Sequence, residues 1–264
     1  MITEITVFRV EKAQGWEDQD RVAEEVPLTV YLNGQEVATL LSSPSHWEEL
    51  AAGFLFSQGV IKSAEDILRV GVDPRRGLAW VEAKDTPLLA QQALFKRVLT
   101  SGCGTGVSMF FAGEVRTVAG AEGFSESAVV FLELAREFQG RSETYRATGG
   151  VHSAALAEGG SLKVFREDIG RHNAVDKVIG HCLLNRLPTA SSLLLTTGRA
   201  SSEIVIKAAR LGVPILVSRS APTSLAVNYA RELGITLVGF ARGRRLTVYA
   251  HHERIKEVGE KKSG

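Results

Sequence analysis

The sequence predicts an α/β protein, α+β overall, with a β-rich N-terminal region over residues 1–115 and an α/β region over residues 116–264. Three observations lead there. The last third alternates short apolar runs with helix-length segments, the pattern of a sheet layered between helices. Residues 26–41 hold two β-rich runs joined by Asn33-Gly34, a strong hairpin signal. Apolar residues make up 44% of the 264 positions, enough to bury a sizeable core.

In chain order, Ile2, Ile5, Val7 and Val10 have strand-like spacing. Residues 11–25 are polar and charged and read as a loop. The hairpin follows, Val26 to Leu32 and Gln35 to Leu41. Ser45-His-Trp-Glu48 has the spacing of a capping box and opens a helix to about Gln58, which Gly59 ends. Ser63-Ala-Glu-Asp66 is a weaker helix start, and Asp73-Pro-Arg-Arg-Gly77 a turn between two short strands. Thr86-Pro87 caps a helix predicted from Pro87 to Leu99. A helix is predicted from Ser125 to Gln139, closed by Gly140. Val151 to Leu156 and Leu162 to Phe165 flank Gly159-Gly160 as a second hairpin.

Asn173 to Arg186 is helical, with Cys182 on an apolar stripe that includes Val175, Val178 and Ile179, so Cys182 is expected in the core. Ser192 to Thr196, Val213 to Val217, Thr236 to Phe240 and Leu246 to Tyr249 read as strands. Ser202 to Leu211 and Thr223 to Leu233 read as helices. The charged stretch Lys256 to Gly264 is expected to fray.

Composition narrows the function. A formal net charge of +1 argues against broad capture of nucleic acid or of an anionic membrane. No apolar run approaches the roughly 18 residues of a membrane helix. Met-Ile-Thr-Glu-Ile-Thr-Val lacks the basic and apolar regions of a signal peptide, so a soluble, cytoplasmic protein is expected. The two cysteines, Cys103 and Cys182, lie far apart and form no disulfide framework. There is no Cys-x-x-Cys and no His-Glu-x-x-His, so no metal site is expected.

Polar and Gly-rich clusters mark where chemistry can sit. In Thr100-Ser-Gly-Cys-Gly-Thr-Gly106 the Cys103 thiol has glycine on both sides. Such a loop leaves a thiolate open and turns backbone N–H groups toward it, which suits a nucleophilic or sulfur-carrying cysteine. The alternative is a small apolar residue in a tight turn. Thr148-Gly-Gly-Val-His152 is a second cluster. Glu167-Asp-Ile-Gly-Arg-His-Asn173 is the densest, with Asp168, Arg171 and His172 at a helix start. It can hold a phosphate or be a capping and ion-pair network.

Thr196-Thr-Gly-Arg-Ala-Ser-Ser-Glu203 and Ser218-Arg-Ser-Ala-Pro-Thr223 each follow a strand and open a helix, where anions bind or Ser201, Ser202 and Thr223 simply cap. Neither is a nucleotide fingerprint. Phe240-Ala-Arg-Gly-Arg-Arg245 groups Arg242, Arg244 and Arg245, a set suited to a pyrophosphate or to a solvated hairpin.

Together these segments resemble the formate dehydrogenase accessory sulfurtransferases, the FdhD family. The most specific stretch is Glu167-Asp-Ile-Gly-Arg-His-Asn-Ala-Val-Asp-Lys177. Others are Glu25-Val-Pro-Leu28, Gly53-Phe-Leu-Phe-Ser-Gln-Gly-Val-Ile61, Gly149-Gly-Val-His152, Gly198-Arg-Ala-Ser-Ser-Glu203, Ser220-Ala-Pro-Thr-Ser-Leu-Ala226 and Leu237-Val-Gly-Phe240.

The resemblance implies a homodimer with a cytidine deaminase-like α/β catalytic domain lacking the zinc ligands. It implies a sulfurtransferase that takes sulfur from a cysteine desulfurase as a persulfide on Cys103. The acceptor would be the molybdenum of bis(molybdopterin guanine dinucleotide), before the cofactor enters formate dehydrogenase. The cofactor-binding stretch falls on Phe240, Ala241, Arg242, Gly243, Arg244 and Arg245. Many relatives carry Cys-Gly-x-Cys in the loop, where this chain has Cys103-Gly-Thr-Gly106, so release through an internal disulfide with that second thiol is closed to it. Asp168, Arg171 and His172 are expected to shape the pocket. A non-covalent cofactor chaperone and a Cys-His hydrolase, with His152 or His172 beside Cys103, are the competing readings.

Overall fold

The computed structural model describes residues 1–84, 97–99, 117–118 and 124–256. The predicted Cys103 loop, most of the predicted Pro87 to Leu99 helix and the tail after Lys256 lie outside the described residues.

The chain opens on a two-stranded ribbon, β1 (Ile2–Glu11) and β2 (Gln14–Ala23), paired antiparallel along their whole length. Here the structure corrects the sequence reading, which took 11–25 as a loop. β2 shows no apolar alternation because it faces solvent on both sides. Cross-strand charge holds it instead: Arg9 pairs with Asp18 at 2.6 Å and Asp20 at 3.2 Å, and Arg21 with Glu4 at 3.3 Å. Lys12 and Ala13 both take the left-handed backbone conformation that reverses a tight hairpin.

β3 (Val26–Leu32) and β4 (Gln35–Ser42) form the predicted hairpin around Asn33-Gly34. With β5 (Ile67–Asp73), β6 (Leu78–Ala83) and β7 (Arg97–Leu99) they make a five-stranded sheet in the order β5-β6-β3-β4-β7. β7 occupies the end of the stretch predicted as helix, and its parallel pairing with β4 overrides the local signal there. The predicted turn at Asp73–Gly77 stands, with the Asp73 carboxylate accepting from the N–H groups of Arg75 and Arg76.

α1 (Trp47–Ser57) follows, but Ser45 does not cap it. His46 holds the boundary in a left-handed conformation. Ser45 lies instead within 3.3 Å of the Lys177 ammonium. The Ser63 capping box closes only one 3-10 turn, Ala64–Asp66.

α2 (Ala128–Arg141) begins after Ser127, whose hydroxyl caps it, and runs through Gly140 rather than stopping there. The stop is Ser142, which caps α3 (Glu143–Thr148). Beyond them lie β8 (His152–Glu158), β9 (Ser161–Asp168), α4 (Arg171–Leu184), β10 (Leu193–Thr196), α5 (Ser202–Leu211), β11 (Ile215–Ser218), α6 (Ser224–Leu233), β12 (Thr236–Arg242) and β13 (Arg245–Ala250). Within a residue or two at each end, most of these match the predicted elements.

Six strands of this half form one mixed sheet, ordered β9-β8-β10-β11-β12-β13. Strands β10, β11 and β12 run parallel, and the outer pairs are antiparallel. Side chains alternate cleanly across it. Leu194 and Leu216 face the core shared with α4, α5 and α6, whereas Leu193, Leu195, Ile215 and Val217 face α2. Helices on both faces explain why these strands read as continuous apolar runs.

The two halves meet through α1 and α4. α1 touches β5 and β6 on one side and α4 on the other. The contact is close because each helix offers a glycine. A Cβ on Gly53 would lie 1.8 Å from the Asp176 carbonyl oxygen, and one on Gly180 would lie 1.8 Å from that of Glu49. Cys182 is 2% exposed within this core, where burial pushes its thiol up to about 12, an inert group as expected.

Candidate functional site

The parallel strands β10 and β11 end side by side, and their following loops are knitted together. The Ser218 hydroxyl donates to the Gly198 carbonyl at 2.7 Å and accepts from the Ser220 N–H at 3.0 Å. Ala200 and Thr223 exchange backbone bonds with the facing loop, Ala200 N–H to Ala221 and Thr223 N–H to Ala200. The two predicted Gly- and Ser-rich clusters are therefore neighbours at the carboxyl ends of parallel strands, the position where open α/β sheets bind ligands. Thr223 caps α6 as predicted, with its hydroxyl accepting from Ala226. Ser201 precedes α5 without a side-chain cap.

At this edge opens a cavity of about 380 Å³. His152, Thr197 and Arg219 line it from the sheet side, and Gln139, Ser142 and Tyr145 from α2 and the start of α3. Thr197 Oγ1 lies 3.3 Å from His152 Nδ1. Burial, and then the nearby Arg171 charge, push His152 down from the ordinary histidine range and hold it neutral.

None of Phe240 to Arg245 lines this cavity, but the stretch is tied to its wall by two hydrogen bonds. The Gln139 amide donates to the Ala241 carbonyl at 3.2 Å while lining the cavity, and the Phe240 N–H bonds Ser220 in the loop beside Arg219. Phe240 takes a left-handed conformation, Ala241 is buried, and Arg242 stands 5.8 Å over the Phe240 ring. Gly243 reverses the chain at φ 63°, and Arg242, Arg244 and Arg245 are exposed around it.

The densest predicted cluster divides. Asp168 is fully buried and does not line this cavity. It pairs with the Lys177 ammonium at 2.7 Å and accepts from the N–H groups of Ser43 and Gly170 and from the Asn173 amide. This is the ion-pair and capping network, the other of the two readings left open by the sequence. Nor do Arg171 and His172 line the cavity, to which the segment contributes Ile169. Arg171 packs on Gly198.

His172 Nδ1 lies 3.3 Å from a Glu203 carboxylate oxygen, but without the alignment of a hydrogen bond. Burial, with Lys207 and Arg171 adding repulsion, pushes His172 down to about 2, so this contact is not an ion pair at neutral pH. Beneath it Lys207 and Asp176 form a second buried pair at 2.6 Å.

Gln139, Ser142 and Tyr145 were not singled out in the sequence. Ser142 ahead of Glu143 is a helix start hidden by the preceding helix, and it alone could have signalled that α3 begins there.

Comparison with known proteins shows what the chain as a whole is similar to. A profile described as the FdhD/NarQ family matches residues 23–256. The chain is 45% identical over 239 residues to a protein named sulfur carrier protein FdhD from Bacillus pumilus (strain SAFR-032), covering 90% of this chain and 91% of that one. To the protein of the same name from Bacillus subtilis (strain 168) it is 44% identical, covering 95% and 96%. A crystal structure from Desulfotalea psychrophila, described as a formate dehydrogenase accessory protein, matches with a TM-score of 0.80 at 33% identity, over 96% of this chain and 99% of that one.

Proposed function

The chain belongs to the FdhD/NarQ family, and from that premise we propose that it is a sulfur carrier, a sulfurtransferase acting in formate dehydrogenase maturation. The observation that carries this reading is the likeness, over nine-tenths or more of the chain, to relatives named as sulfur carriers. The Cys103 thiolate attacks the outer sulfur of a cysteine desulfurase persulfide, so Cys103 gains the persulfide and the donor cysteine leaves as a thiolate. The terminal sulfur then passes as sulfide to the molybdenum of bis(molybdopterin guanine dinucleotide), which is the acceptor substrate. That step consumes two electrons. Because Gly106 stands where many relatives have a second cysteine, an external thiol reductant supplies them.

The cavity and the stretch Phe240–Arg245 tied to its wall support the acceptor half. A polyanionic dinucleotide needs guanidinium groups, and Arg219 on the cavity wall and Arg242 over the Phe240 ring supply them at this edge of the sheet. In this reading the protein is a cytoplasmic homodimer. Residues 116–264 are its cytidine deaminase-like unit, and the β-rich region 1–115 carries Cys103.

The test is mass spectrometry of the intact protein and its peptides after incubation with a cysteine desulfurase and cysteine. The expected result is a gain of one sulfur on the Cys103 peptide, reversed by reductant and abolished in Cys103→Ala. No adduct, with the dinucleotide still bound, would favour a non-covalent chaperone.

A further inference from the structure

Helix α3 supplies part of the cavity wall through Tyr145, yet Thr144 is its one buried residue and it buries no apolar side chain. Among the described residues, the hydrogen bonds that tie α3 and its cap to anything beyond α2 all end on Glu167. The Ser142 hydroxyl donates to one oxygen of the Glu167 carboxyl group, and the Thr144 hydroxyl donates to the other at 3.0 Å. Ser142 Oγ also accepts from the Tyr145 N–H at 3.0 Å, so one side chain both caps the helix and fastens it to β9. Glu167 can do this because successive strand residues face opposite ways: Asp168 turns to Lys177 on α4, and Glu167 to α3. The β1–β2 ribbon touches α3 as well, but neither element buries an apolar side chain there.

We infer that Glu167 is a positioning residue of the acceptor site: its carboxyl group holds α3 against β9 and so sets where Ser142 and Tyr145 stand in the cavity wall. The inference rests on the cofactor reading proposed above, and it concerns a residue that does not itself line the cavity. Ser142 and Thr144 are 4% and 6% exposed, so water does not replace an acceptor lost from beneath them. Without that acceptor α3 has little else to fix its place. A wall that must be ordered when the ligand arrives costs affinity, whereas one already held in place does not.

Two measurements on the full chain test this together: deuterium exchange of the free protein, and calorimetric titration with guanosine diphosphate as the probe. Glu167→Ala should speed exchange of the Tyr145, Arg146 and Gly149 amides about tenfold and weaken nucleotide binding about tenfold. Amides of β10 and β11 should exchange as in the wild type, which a general loss of stability would not allow. Glu167→Gln should restore most of both, since its amide oxygen accepts from Ser142 and its N–H donates to the Thr144 hydroxyl. Thr144→Val removes one donor at constant shape and should weaken binding a few-fold, with no further loss when added to Glu167→Ala. Unchanged α3 amides in Glu167→Ala overturn the inference, as does fast exchange there with wild-type affinity. Should Glu167→Ala not fold, wild-type affinity in Thr144→Val overturns it. These results leave the cofactor reading standing. If the wild type does not bind the nucleotide, the cofactor reading falls and the inference falls with it.

Discussion

Asp168 has no exposed surface, yet its carboxyl group meets four donors, from Ser43, Gly170, Asn173 and Lys177. Removing one member of such a pair leaves the other charge buried and unpaired. Asp168→Asn should therefore destabilise the fold by about 3–5 kcal/mol, read as a lowered urea midpoint. The density of this cluster was legible in the sequence, but its meaning was not. Ser43 lies 125 residues upstream of Asp168, and no local pattern reports such a partner.

His172 has the opposite problem. Its pKa is pushed down to about 2, so below pH ~6.5 the unfolded chain binds a proton that the folded chain refuses. Stability must then fall as pH falls, by up to about 1.4 kcal/mol per pH unit for one such group. His152 is shifted in the same direction and adds to the slope. Urea melts at pH 7, 6 and 5 should show the loss, and His172→Gln should flatten it.

At the scale of elements, the α1–α4 contact depends on the absence of two side chains. No rotamer relieves a Cβ placed 1.8 Å from a carbonyl oxygen, so the helices must separate. Gly53→Ala and Gly180→Ala should each lower stability by about 3 kcal/mol or more, visible in a thermal melt. The helices themselves could be read from their apolar spacing, whereas their crossing at two glycines could not. The β1–β2 ribbon marks the reverse limit. Its strands are stabilised by cross-strand charge in a surface with no buried face, so hydrophobic periodicity missed half of it. Its turn uses Lys12 and Ala13 in left-handed conformations. Replacing the pair by Asn-Gly should stabilise the hairpin by up to about 1 kcal/mol, measurable by urea titration.

For the whole molecule, the larger core cluster draws on both halves of the chain. Leu28, Val81 and Leu55 belong to it together with Val178, Ile204 and Leu237. Residues 26–83 and 152–250 should therefore unfold as one unit, with tryptophan fluorescence and far-UV circular dichroism giving coincident transitions. Two apparent midpoints would show that the halves melt separately. The α/β half was legible almost strand by strand, because fully buried parallel strands write themselves as apolar runs. The assembly of the two halves was not, since it rests on tertiary contacts between segments more than a hundred residues apart.

The α1–α4 crossing also sets a clock. Amides of Leu50 to Phe56 and of Val175 to Ile179 lie in buried stretches of two helices that touch backbone to backbone at Gly53 and Gly180. Water reaches them only when the helices part, and the helices cannot part without opening the shared core. In deuterium these amides should be the last to exchange, at rates that follow the global unfolding equilibrium. The ribbon, exposed on both faces and carrying Phe8 and Val10 at 68% and 69% exposure, should exchange first.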